Sequence, residues 1–390
     1  MDLIPYSRQS ISEEDISLLI ETIKSDLLTQ GPKIGDFENS IANFFNVKYS
    51  VVCSSGTAAL HLAYAALGVN HNSLGIVPAI TFAATANAFR YQRADVQFCD
   101  VDPETGLILL DSLEECMANV SEKQKEECNV IAPVSFAGSV APLDKCRNIA
   151  EKNNFFVVED GCHSPGAWKE NHQKKIIKSG ACINTIASTL SFHPVKHICA
   201  GEGGAVLTND PKVAEKAKKL RNHGINRPYN DSHEKPWYYE QEDLGWNYRL
   251  TDIQATLGMS QLQRLASSLE TRRYLAQRYD QALAQSPFEE HITRPALEKG
   301  HAWHLYVIKF KDYKLRDLAY KFFKSKNILT QIHYIPLYKH PYYSKDLGEL
   351  NLPGAESFFK CCLSIPLYPE LTEIEQNRVM DTLEQFLNRK

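Results

Sequence analysis

A chain of 390 residues that is 43% apolar and 23% charged can bury enough surface to offset its ordering entropy, which excludes disorder as the main state and a small stapled scaffold, and predicts about two domains. Forty-three Lys and Arg against 47 Asp and Glu leave a formal charge of −4, and with no basic run longer than two or three residues, nucleic acid is excluded as the expected partner. The ten cysteines form no C-x-x-C pair, and the adjacent Cys361 and Cys362 suit neither a disulfide framework nor a zinc knuckle, so they read as buried hydrophobes in a reducing cytoplasm.

In chain order, the N-terminal segment carries Glu13, Glu14, Asp15 and Glu21 among its apolar positions, unlike a secretion signal. Tyr49 to Phe89 contains no Lys, Arg, Asp or Glu, yet Gly56, Gly68, Gly75 and Pro78 cut it into pieces too short to span a bilayer, so it reads as a buried layer. Short apolar runs at Ser50–Cys53, Leu74–Ala79, Val96–Val101, Val130–Ser135, Phe155–Glu159, Ile186–Ser191 and Ala205–Asn209 alternate with helical patterns. Continuous apolar strands separated by helices predict a mainly parallel sheet covered on both faces, an α/β domain over residues 1–250. From Thr251 to about Gln285, leucines at helical spacing with no proline predict one long helix bridging to a second unit, so that residues 251–390 form the helix and a smaller α+β domain. In that unit the pattern predicts a strand at His304–Phe310, a helix near Leu315–Asn327, a strand at Ile328–Tyr334 and a last helix from about Thr372.

Three stretches bear on chemistry. Ser54-Ser55-Gly56-Thr57-Ala58-Ala59-Leu60 follows a strand and opens a helix; alone it is either an ordinary strand-to-helix turn or an anion cradle, in which free N–H groups and the helix dipole receive a phosphate. Glu159-Asp160-Gly161-Cys162-His163 lies just past an apolar strand, where open α/β sheets place ligands. There Asp160 is either a structural ion pair or the partner of a cationic cofactor ring nitrogen, with His163 beside the ring oxygen. In Ser191-Phe192-His193-Pro194-Val195-Lys196-His197, the two histidines have zinc-helix spacing, but Pro194 interrupts them and no Glu follows the first, so no metal is expected. Lys196, alone between Lys178 and Lys212 in an apolar and glycine-rich setting, can become an amine nucleophile if desolvation lowers its pKa.

The order of Ser55-Gly56-Thr57-Ala58-Ala59-Leu60, Thr81-Phe82-Ala83-Ala84-Thr85-Ala86-Asn87, Glu159–His163, Ser191–Lys196, Gly201-Glu202-Gly203-Gly204, Arg221-Asn222-His223-Gly224 and Gly245-Trp246-Asn247-Tyr248-Arg249 resembles the DegT/StrS-type sugar aminotransferases nearly end to end. Tyr6-Ser7, Leu28-Thr29-Gln30-Gly31, the Lys196 context, Gln331-Ile332-His333-Tyr334 and Leu363–Leu367 look most like the branch that serves pseudaminic acid synthesis and acts on a UDP-linked 4-keto-6-deoxy-N-acetylhexosamine. His197-Ile198-Cys199-Ala200 departs from the Thr-rich residues expected after the lysine.

The resemblance implies a fold-type I enzyme dependent on pyridoxal 5′-phosphate (PLP), with a mainly parallel central sheet and a smaller C-terminal domain. Lys196 would bond the cofactor and move protons, with glutamate as amino donor. Asp160 would keep the ring nitrogen protonated, and His163 and Phe82 would flank the ring. Gly56, Thr57 and Ser191 would hold the phosphate, joined by Asn247 from a partner subunit, which implies a homodimer with shared sites. Tyr6, Thr29, Gly56, Ser191, Asn247, His333 and Tyr334 would meet the sugar nucleotide. Lys196 argues against the sister dehydration chemistry, in which a histidine replaces that lysine. A PLP-binding regulator without turnover, or a transaminase for another nucleotide sugar of the perosamine or legionaminic acid type, stays open. The missing G-x-G-x-x-G counts against a dinucleotide-binding protein.

Overall fold

The computed structural model describes residues 2–171, 173–227 and 235–389. Its central sheet has seven strands: β1 (Tyr49–Cys53), β2 (Leu74–Pro78), β3 (Asp95–Cys99), β4 (Asn129–Ile131), β5 (Phe155–Asp160), β6 (Ala187–Ser191) and β7 (Gly204–Thr208), in the order β1-β7-β6-β5-β4-β2-β3. All neighbours pair in parallel except β7, which runs antiparallel to both β1 and β6. Val51, Val52, Ile76, Val77, Val130, Ile131, Val158, Leu190, Val206 and Leu207 are fully buried, as a sheet covered on both faces requires. Each of the seven apolar runs thus forms the strand expected of it, within a residue or two at its start and up to four at its end.

Helices supply the two covers. After α1 (Glu13–Ile23), whose buried Asp15 and Thr22 bond Ser260 and Thr256, α2 (Pro32–Phe45) lays Phe37, Ile41 and Phe45 into the core below the sheet. On the opposite face, α3 (Gly56–Leu67) carries the fully buried Ala59, Leu62, Ala63 and Tyr64, and α4 (Ala83–Tyr91) carries Ala86, Ala88 and Phe89. Alanines let these two helices approach closely, and Tyr64 stacks on Phe89 with ring centroids 3.8 Å apart.

The long helix expected from Thr251 is two helices, α5 (Asp252–Gln263) and α6 (Leu265–Leu283), broken at Arg264 (φ −91°, ψ 0°). No proline or glycine causes the break. Arg264 is tethered there by its guanidinium, 2.5 Å from the fully buried Asp15 carboxylate and 3.3 Å from the Ser10 carbonyl oxygen. Beyond it α6 changes neighbours and sends Leu275, Tyr279 and Leu283 into a second core.

That second core surrounds an antiparallel sheet of β8 (Ile292–Thr293), β9 (Tyr306–Phe310) and β10 (Cys362–Ile365), covered by helices Lys314–Ser325 and Glu373–Leu387. Ile4 belongs to it too, bridging Ile328. The strand expected at Ile328–Tyr334 does not form: only Ile328 and Gln331 make single bridges, to Ile4 and Ser364, and the His333–Tyr334 peptide is cis. The apolar alternation there reflects side chains packed against two different neighbours, not a ladder.

Candidate active site

The carboxyl ends of β1, β2, β5 and β6 open on one edge of the sheet, and the loops leaving them carry most of the residues singled out above. After β1, Ser55 caps α3 by accepting the Ala58 N–H at 3.1 Å. The Gly56 and Thr57 N–H groups lie ahead of the first helical hydrogen bond and point their partial positive charge outward. Ser191, ending β6, lies against them: a Cβ on Gly56 would sit 2.8 Å from the Ser191 Cβ. A Cβ on Gly204 would likewise collide with the Ser55 carbonyl oxygen. Only glycine permits this close seam, which forms a cradle of two N–H groups and one hydroxyl suited to a phosphate.

Asp160 ends β5 and is 5% exposed. Its Oδ2 accepts from the Thr85 hydroxyl at 2.7 Å and its Oδ1 from the Cys162 N–H at 3.2 Å. Thr85 is itself bonded to the Thr81 hydroxyl at 2.7 Å, so α4 fixes the carboxylate from above. Glu159 alternates to the other face of β5, where the Ser135, Ser179 and Ser188 hydroxyls and the Gly180 N–H donate to its two oxygens at 2.5–2.9 Å. That carboxylate anchors the strand, leaving Asp160 as the candidate of the pair for a site at this edge.

Lys196 sits in the loop after β6, half-buried. Burial lowers its pKa, opposed by the nearby Cys162 and Asp160 side chains. Its amine enters no ion pair among the described residues. The aromatic groups around it are neutral. Burial drives His163 well below its ordinary pKa, with the Lys196 charge adding to the effect. The His163 ring lies 4.2 Å from that of His304, which lies 5.4 Å from that of His197. His163 Nε2 is 3.3 Å from the Tyr334 hydroxyl, and Nδ1 is buried without a partner, an orphan that a ligand oxygen would satisfy.

The structure brings Lys196, Asp160, His163, His333 and Tyr334 together, with Tyr6 against His333 (ring centroids 5.7 Å) and Phe82 against Tyr334 (6.2 Å). His333 is fixed by Ser364 Oγ at 2.8 Å, and Phe82 is 59% exposed at the start of α4, a free ring face at the mouth. Thr29 and Asn247 are not part of this group within one chain. Thr29 is exposed and bridges Thr251, and Asn247 is exposed and bridges Asn222 through its backbone. Two contributors were given no role by the sequence reading: Thr85, present there only within a motif of the resemblance, and His304, present only as the start of an expected strand.

Residues 9–384 match the DegT/DnrJ/EryC1/StrS aminotransferase family. The chain is similar to the UDP-4-amino-4,6-dideoxy-N-acetyl-beta-L-altrosamine transaminase of Campylobacter jejuni, with 35% identity over 99% of this chain and 98% of that protein. It is also similar to the Bacillus subtilis spore coat polysaccharide biosynthesis protein SpsC, at 33% identity over 98% of this chain and 97% of that one. Among solved structures it superposes on Helicobacter pylori PseC, an aminotransferase of pseudoaminic acid biosynthesis, with a TM-score of 0.89 and 27% identity over all of both chains. Bacillus subtilis NtdA, solved with its bound cofactor PMP, matches with a TM-score of 0.82 and 27% identity over 97% of this chain and 83% of that one.

Proposed function

The chain belongs to the DegT/DnrJ/EryC1/StrS aminotransferase family and is a PLP-dependent sugar aminotransferase, and from that premise we propose that it moves the amino group of glutamate to C4 of a UDP-linked 4-keto-6-deoxy-N-acetylhexosamine. The product would be UDP-4-amino-4,6-dideoxy-N-acetyl-β-L-altrosamine. Similarity over nearly the whole length to the Campylobacter transaminase and to PseC supports this choice of sugar.

The observation that carries the chemistry is an unpaired, partly desolvated lysine amine facing a buried carboxylate at the edge of the sheet, beside a helix N-terminus. The residues fit PLP: the Gly56, Thr57 and Ser191 cradle suits its phosphate, Asp160 its ring nitrogen, and the orphaned His163 nitrogen lies where a ring oxygen would be met. When bound, the cofactor supplies an electron sink for the carbon that loses its proton. Asp160, held by Thr85 and Cys162, keeps acceptor capacity for a ring N–H and favours its protonated form by charge. Lys196, whose pKa burial lowers, would serve as the base that takes the proton from the donor's α-carbon and as the acid that returns it two atoms along, across the nitrogen. Phe82 covers one face of the site, and Tyr6, His333 and Tyr334 wall the side where the sugar would enter.

Asn247 is exposed, and its side-chain amide, without a partner among the described residues, supports a homodimer in which it reaches the cofactor phosphate of the partner subunit. Thr29, also exposed, would contact the sugar nucleotide. A cytoplasmic setting belongs to the same proposal: all ten cysteines are free, and no described helix is long and apolar enough to cross a membrane. The test is a panel of nucleotide-linked keto sugars incubated with glutamate and read by mass. Amination of the UDP-linked 4-keto sugar ahead of the others supports the proposal, and preference for another nucleotide or for a 3-keto sugar overturns it.

A further inference from the structure

His61 lies on α3, five residues beyond Gly56, and is 3% exposed. Its ring packs on Trp246 with centroids 4.2 Å apart and meets Tyr91 edge-on at 5.4 Å. Nε2 lies 2.6 Å from the Gln92 amide nitrogen and Nδ1 3.2 Å from the Tyr248 hydroxyl. An amide nitrogen only donates, so Nε2 accepts and the ring proton sits on Nδ1, which donates to Tyr248. Burial lowers the His61 pKa to about 4, so this neutral tautomer persists at neutral pH.

The two rings it grips, Trp246 and Tyr248, are stacked with centroids 5.6 Å apart and planes 13° from parallel. They flank Asn247, whose side chain in an extended segment points to the opposite side, and Asn247 is exposed. The backbone of this segment is tied to the Leu220–His223 stretch by Trp246 N–H to Leu220 O at 2.8 Å and Tyr248 N–H to Arg221 O at 3.0 Å. It is also tied to the phosphate loop by Ser54 N–H to Tyr248 O at 2.9 Å. The backbone fixes where the segment runs, while the His61 grip fixes its roll about its own axis.

We propose that His61 is a positioning residue for the neighbouring subunit's active site: by clamping Trp246 and Tyr248 it turns Asn247 outward to meet the phosphate of the cofactor held by the partner. This rests on the shared-site dimer proposed above. The rival is action in cis, since α3 also presents the Gly56 and Thr57 N–H groups of its own chain.

Mixed dimers separate the two. Chains carrying His61→Ala and Lys196→Ala bear different affinity tags, the heterodimer is isolated, and PLP is titrated with borohydride trapping on Lys196 as the readout. Only the His61→Ala chain then has Lys196, and its site faces Asn247 from a chain whose His61 is intact. The His61→Ala homodimer is expected to bind PLP about tenfold more weakly than wild type, and the heterodimer to recover wild-type affinity. A heterodimer as weak as the His61→Ala homodimer overturns the proposal. Asn247→Ala mixed with Lys196→Ala is the control. If that pair recovers and the His61 pair does not, the proposal alone falls; if neither recovers, the shared-site reading falls with it. Should His61→Ala fail to fold, Tyr248→Phe keeps both rings and removes only the oxygen that His61 donates to. It is expected to weaken PLP binding by about threefold with the same recovery in the mixed dimer. Unchanged affinity in Tyr248→Phe overturns the proposal.

Discussion

Acidification is expected to unfold this protein through six histidines. His61, His163, His197, His301, His304 and His333 are buried, and burial pushes every one of their pKa values down: to about 4 for His61, about 3 for His301 and His333, and well below the ordinary value for the other three. In the unfolded chain the same rings protonate near 6.5. The unfolded state therefore binds more protons at any pH below that value. The stability contributed by the neutral rings is complete above pH 6.5 and is lost as the pH falls from there towards 4. Linkage gives a loss of about 2 kcal/mol per ring between pH 7 and pH 5 for His61, His301 and His333, or roughly 6 kcal/mol for the three, and His163, His197 and His304 add to it in the same direction. Urea unfolding of the cofactor-free protein at pH 7, 6, 5.5 and 5, at one fixed protein concentration, measures the slope directly. Near pH 5.5 it should correspond to about three protons or more taken up per chain on unfolding. A loss below about 3 kcal/mol over that range, or His163 and His304 signals that titrate near 6.5 in the folded protein, would refute the reasoning.

Lys196→Ala is expected to abolish borohydride trapping of PLP and to lower transamination by about three orders of magnitude or more, because no other described group offers an amine at that place; a trapped peptide containing another lysine would show the assignment to be wrong. Asp160→Asn should keep the cofactor bound yet slow the single-turnover proton shift by about a hundredfold, since a neutral amide no longer favours a protonated ring nitrogen; stopped-flow absorbance checks it. Glu159→Ala should cost about 4 kcal/mol in thermal unfolding by orphaning the four donors around it. Glu159→Gln should cost about half as much, since the amide can still accept from Gly180 and Ser188 and donate to the serine oxygens. Equal effects of the two would place the energy in packing.

The central sheet was legible because most of its strands are buried on both faces and so read as largely apolar runs between turn residues. The second unit was less so. Leu363-Ser364-Ile365 was noticed only as part of a resemblance, although it forms the edge strand that fixes His333 through Ser364. Ile328–Tyr334 carried a strand's composition without a neighbour to pair with along its length. The break at Arg264 has no local signature, because it depends on Asp15, almost 250 residues earlier. At the candidate site, Lys196, Asp160 and His163 stand in motifs that the sequence singled out, each beside a structural alternative, and the resemblance supplied the roles proposed for them. Thr85, His304 and the His61 grip act through contacts with residues 75 to 187 positions away, which a single sequence does not display.

The account stands on Lys196 moving the proton that lets nitrogen pass from glutamate to a keto sugar. Its most direct test supplies glutamate with an isotope-labelled amine, together with the UDP-linked 4-keto-6-deoxy-N-acetylhexosamine, to the wild-type protein and to Lys196→Ala, and reads the sugar by mass. One labelled nitrogen on each amino sugar from the wild type and none from the variant is the predicted result. Label that stays on glutamate while the keto sugar is consumed, or equal transfer by both proteins, would contradict it.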